Sequence, residues 1–173
     1  MNRRITLTLT TVSLLFARLA LPPGNAFAQQ KTLKEQLVGA WTLVSNDTTL
    51  TNGTKRQAFG ANPKGILILD AGGRYAVVQG RPDRPKFKDI DNLRSGATAE
   101  EFAAAARPFA ANFGTWSVDE TNKTLIRRYE IALIPNNDAI ENTAFVGLAG
   151  DELTLVATVA PGVRSDTTYR RAK

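Results

Sequence analysis

Cysteine and histidine are both absent from this chain of 173 residues, and methionine occurs once. Without thiols there can be no disulfide, no cysteine nucleophile, no thiolate metal ligand and no lipid-modified N-terminal cysteine. Without imidazole there is no Ser-His or Cys-His catalysis, and the commonest metal ligand is missing. No phosphate loop or nucleophile elbow can be found either. Closely spaced carboxylates (Asp89/Asp91, Glu100/Glu101, Asp119/Glu120) fall in loops, turns or a helix start, where they do not form an acid/base pair. The sequence therefore points to no catalytic residue, no metal and no cofactor.

The start of the chain is a different kind of segment. Arg3 and Arg4 precede an apolar and hydroxylated stretch, Ile5 to Leu21, which is followed by Pro22-Pro23-Gly24 and the small-residue pattern Ala26-Phe27-Ala28. This is the layout of a secretory signal removed after Ala28. As a membrane span it is short and carries Arg18 where hydrocarbon would lie. The expectation is an exported protein, periplasmic or secreted, without integral membrane insertion, whose single domain is residues 29–173. Three of the 22 basic residues and none of the 16 acidic ones belong to the leader, so the rest carries a net charge of +3. A charge that small, spread along the chain, favours solubility and is not the footprint of a nucleic-acid partner.

What remains reads as strands separated by turns. Thr32-Leu33-Lys34-Glu35 is a capping box opening a short helix that Gly39 ends. Strands are expected at 41–50, 66–70, 74–79, 113–119, 124–134, 139–148, 152–160 and 164–171, with turns at Asn52-Gly53, Ala71-Gly72-Gly73, Pro135–Asp138 and Pro161-Gly162. Thr98–Glu101 is a second capping box, predicting a helix over about 99–107 that Pro108 stops or kinks. Eight strands with short connections predict a mainly β fold, an eight-stranded antiparallel up-and-down barrel. That is the size at which an interior can be filled by side chains or hold one small ligand.

Gly39-x-Trp41 after a short helix, with Arg171 on the last strand, resembles the lipocalin and wider calycin pattern. LVGAWTLVS (37–45), FGANPKGILILDAGGRYAVV (59–78), RPDRPKF (81–87), FGTWSVD (113–119) and GDELTL (150–155) resemble, in order and spacing, the bacterial and fungal lipocalin-like domain family. The resemblance implies a calycin-type barrel in which Trp41 plugs one end and Arg171 packs across its ring. The chain departs from the family's histidine pair near position 127, where it has Arg127-Arg128, and from Phe-Pro-Asn-Trp, where it has Ile134-Pro135-Asn136-Asn137.

Alternation along 124–134 puts Leu125, Arg127, Tyr129, Ile131 and Leu133 on the more apolar, inward face. An arginine inside cannot shed its charge. Either Arg127 and Tyr129 clamp the acid end of an apolar ligand, or Arg127 reaches water at the mouth or pairs with an internal carboxylate. A bulge could exchange Arg127 for Arg128. Tyr75, Trp116 and Phe145 complete the inward candidates for ligand contact. RPDRPKFKD (81–89) reads as a solvated loop or a lid, and the 99–107 helix as a cover for one end through Phe102 and Phe109. Three functions stay open: a carrier for a small apolar or amphipathic molecule, acting as a monomer or weak dimer; a cofactor-free isomerase or cyclase using Tyr75, Tyr129, Arg127 or Glu130; and an envelope-accessory domain with a filled core.

Overall fold

The computed structural model describes residues 31–92 and 96–173; the leader expected over residues 1–28 lies outside them. The elements are helix α1 (Leu33–Leu37), strands β1 (Gly39–Thr49), β2 (Lys55–Gln57), β3 (Lys64–Leu69) and β4 (Arg74–Gly80), and helix α2 (Ala99–Ala106). Then follow β5 (Phe109–Asp119), β6 (Thr124–Ala132), a 3₁₀ turn (Pro135–Asn137), β7 (Glu141–Ala149), β8 (Glu152–Ala160) and β9 (Val163–Arg171). Consecutive strands pair antiparallel from β3 to β9, β1 pairs with β3, and β9 returns to β1 over Trp41↔Arg171 to Thr49↔Arg164. The result is the expected closed barrel of eight strands. One short strand was not expected: β2 pairs along Asp47–Thr49, on the edge of β1 that β3 leaves beyond Thr42.

Both capping boxes form. Thr32 and Glu35 cap α1, and the amides of Leu33 and Lys34 donate to the carboxylate of Glu120 in the β5–β6 turn, 2.9 Å each. These bonds satisfy donors a helix start leaves free, and they tie α1 across the barrel's lower end. Thr98 and Glu101 cap α2, which ends before Pro108. Directly after the proline the chain is already strand, so Phe109–Asn112 belongs to β5 and not to the alanine-rich helical run.

The core fills the lower half of the barrel. Leu37, Trp41, Leu67, Leu69, Leu125 and Leu153 are fully buried there, with Leu43, Val77, Trp116 and Leu155 nearly so. Trp116 also donates its indole N–H to the carbonyl of Asp70 in the β3–β4 turn, 2.9 Å away. Helix α2 is not an end cover, since none of its residues is buried. Phe102 packs edge-on against Phe87 of its own connecting segment, ring centres 5.3 Å apart. In the 81–89 loop the two arginines are engaged. Arg81 pairs with Asp83, and Arg84 lies 4.4 Å over the ring of Phe109.

Candidate functional site

The plugged end has the predicted geometry. Gly39 takes a φ of +134°, which L side chains avoid, and a methyl group there would stand 3.2 Å from Nη1 of Arg171. The turn carries the chain from α1 into β1 so that Trp41 lies under the helix, its indole N–H donating to the carbonyl of Leu37 at 2.8 Å. The guanidinium of Arg171 sits 4.1 Å from the ring centre. It also donates to the carbonyls of Gln36 (2.7 Å) and Val38 (3.2 Å). One arginine thus seals the indole and ties up two carbonyls at the end of α1, a structural role.

Above the apolar floor the interior turns polar, and its groups meet in pairs. Asn46 donates to Thr167 (2.6 Å) and Ser165 (3.3 Å). The hydroxyl of Tyr169 donates to Oε1 of Gln79 (3.2 Å), and that of Tyr75 to Oδ1 of Asn112 (2.8 Å). Burial, the main cause, makes both phenols harder to ionise; Tyr169 is pushed up to about 12, and Tyr75 is raised further. Both stay protonated donors at any ordinary pH.

Arg127 stands among these pairs. Its Nη2 donates to Oδ1 of Asn142 at 2.6 Å, and its guanidinium lies 5.8 Å from the ring centre of Tyr75. Tyr129 stands beside Tyr75, ring centres 6.3 Å apart. The Nε of Arg127 is buried and has no hydrogen-bonding partner among the described residues. No ion pair to it is found among them either, since every basic partner of a carboxylate is Arg74, Arg81, Arg164 or Arg171. Arg127 is thus an interior cation with amide and phenol neighbours and a spare N–H donor.

Five of the sequence candidates for this region therefore take inward or buried positions: Tyr75, Trp116, Arg127, Tyr129 and Trp41. Trp116 belongs to the packed floor and not to the polar chamber. Phe145 is a correction. It is 66% exposed and points away from the barrel, because the inward phase of β7 is that of Ala144 and Asn142. Ile131 and Leu133 also fail to face inward. The register between β5 and β6 slips between Phe113 and Gly114, so Glu130 is the extra residue and the alternation flips beyond it. Ile131 is consequently 57% exposed. The bulge falls after Tyr129, so it leaves Arg127 inside and Arg128 out. Glu130 points outward into an ion pair with Arg74, so of the four residues named for a cofactor-free enzyme it lies outside the barrel, whereas Tyr75, Tyr129 and Arg127 stand together inside.

Alternation along β4 placed Gln79 inward with Tyr75 and Val77, and it pairs there with Tyr169. Sequence reasoning missed the other amide side chains of this polar layer, Asn46, Asn112 and Asn142. Asn46 owes its place to a second bulge, between Leu43 and Ser45.

A family model described as a lipocalin-like domain matches residues 38–172. A search of curated proteins found no match. Among solved structures, a redesigned β-barrel is similar at 11% identity over 83% of this chain and 98% of its own, with a TM-score of 0.42. A variant of the fluorescent protein UnaG is similar at 15% identity over 80% of this chain and 97% of its own, with a TM-score of 0.38.

Proposed function

The chain belongs to the lipocalin-like domain family, and on that premise we propose that it is an exported binding protein whose barrel takes up a small amphipathic molecule with an anionic head. Arg127 carries this reading. A half-buried guanidinium whose buried Nε–H has no partner and which meets no carboxylate costs the fold energy that a ligand's anion can return. A carboxylate is the fitting head group: it accepts from the Nε that has no partner and lies beside the phenols of Tyr75 and Tyr129. Val146 and Ala157, only partly buried against the core, supply apolar surface for the rest of the molecule. Export follows from the leader's layout, residues 1–28.

The test pairs two probes of equal chain length, dodecanoate and dodecanol, titrated calorimetrically into the purified barrel. Dodecanoate should bind, and dodecanol should bind at least about tenfold more weakly. Arg127→Met should abolish the difference while making the protein more stable by about 1 kcal/mol, since it removes an unpaired interior charge. Equal affinity for the two probes, or an undiminished preference in Arg127→Met, would refute the assignment. For export, the full chain expressed in a bacterial host should appear outside the cytoplasm with Gln29 as its first residue, read by intact mass.

A further inference from the structure

Strand β7 changes partners halfway along. Its second half, Phe145–Ala149, is laddered to Glu152–Val156 of β8, and its first half, Glu141–Phe145, to Thr124–Arg128 of β6. Phe145 opposite Val156 is the last β7–β8 pair; beyond it β8 runs on to Ala160 paired with β9 alone. The two strands part there, leaving a slit in the upper wall. A similar parting of β1 from β3 beyond Thr42↔Ile66 is filled. There β2 pairs with β1, the amide of Ala58 donates to the carbonyl of Asn46, and Phe59 is buried. The β7–β8 parting has no such cover among the described residues.

A groove of about 530 Å³ runs along this parting. Thr143, Phe145, Val156 and Thr158 form its outer lip, but it also reaches Ala144 and Ala157. Those two face inward: Ala144 is buried and Ala157 packs against the core. With Thr124 and Ile126 of β6 also lining it, the groove lies on the outer face of the wall and reaches both strands at the point where their ladder has ended. The residue pair at the crossing is alanine on both sides, the smallest side chain short of glycine. The next inward residue up β7 is Asn142, which holds Arg127.

We propose that an anionic amphiphile enters through this slit in the side wall, between β7 and β8, with its head drawn to Arg127 and its chain passing over Phe145. The proposal rests on the ligand reading above. The charges that line the groove are engaged: Arg164 at the rim is held by Asp166, and the carboxylate of Asp119 at the far end accepts from the amides of its own turn. Arg127 is the cation on the inward phase behind the parting, and the slit is the short way to it. The exposed ring of Phe145 gives the alkyl chain a first apolar surface.

Because the chain has no cysteine, the slit can be sutured cleanly with Thr143→Cys and Thr158→Cys. Stopped-flow mixing with dodecanoate, read by tryptophan fluorescence, should show association slowed at least about tenfold in the oxidised double variant and restored on reduction. Ala157→Phe, checked for folding by circular dichroism, fills the crossing without a disulfide and should slow association in the same way. An unchanged association rate in either the oxidised or the filled protein overturns side entry. Failure of the unmodified protein to bind dodecanoate at all is a different result: it removes the ligand reading, and the entry route with it.

Discussion

Arg171 and Tyr169 stand two residues apart on β9 and show how differently a polar group can be made to fit an interior. Arg171 keeps its charge by laying it over an indole and donating to two carbonyls. Replacing it with leucine removes a cation–π contact and strands both carbonyls, at a cost of about 2–3 kcal/mol. Urea unfolding of Arg171→Leu should show that loss with ligand affinity largely retained. Tyr169 instead stays neutral. It ionises near pH 10 in an unfolded chain but only at about 12 in the barrel. Since the folded value is the higher, its contribution is complete below pH 10 and is lost as pH rises toward 12. Stability should fall by about 1.4 kcal/mol per pH unit across that window from this group alone. Tyr169→Phe, which has nothing to ionise, should show a shallower decline in urea midpoint between pH 10 and 12.

Among the elements, the β5–β6 pair decides which side chains line the chamber. Gly114 lies so close to β6 that a methyl group on it would fall 2.0 Å from the carbonyl oxygen of Arg128. Gly114→Ala should therefore force the bulge open and cost at least about 3 kcal/mol, measurable as a drop in urea midpoint. The strands themselves were legible, because period-two alternation and turn residues mark their ends: 124–134 was expected and Thr124–Ala132 found, 152–160 expected and Glu152–Ala160 found. Bulges leave no such mark. A one-residue slip costs the sequence pattern nothing, yet it moved Ile131 and Leu133 outside. The orientation of Phe145 was hidden for a related reason: AIENTAFVGL places apolar residues on both phases, and only pairing with β6 and β8 selects one. The β7–β8 parting also predicts a local difference in opening. Backbone amides of β7 and β8 above Phe145 and Val156 should exchange with deuterium faster than those of the fully laddered β4–β5 pair.

At the scale of the whole molecule, closure was the readable feature and content was not. Glycine, tryptophan and a distant arginine announced a plugged barrel through their resemblance to the lipocalin-like pattern. Of the interior amides, Gln79 followed local alternation, but Asn46, Asn112 and Asn142 obey the global register, which no short window of sequence contains. That same closure sets a condition on how the protein comes into being. Gln36 and Val38 wait for a guanidinium 133 or more positions further along, and β1 waits for β9. Until Arg171 is available, the nascent chain is a curling ribbon with two raw margins and Ile66, Ile68, Val78, Phe113 and Ile131 on its convex side. Closing it brings together residues from opposite ends of the polypeptide, the slowest kind of search a small domain makes. A chain cut short before β9 should thus clump where the complete one stays dispersed, so the last strand to be synthesised acts as the clasp that keeps molecules apart.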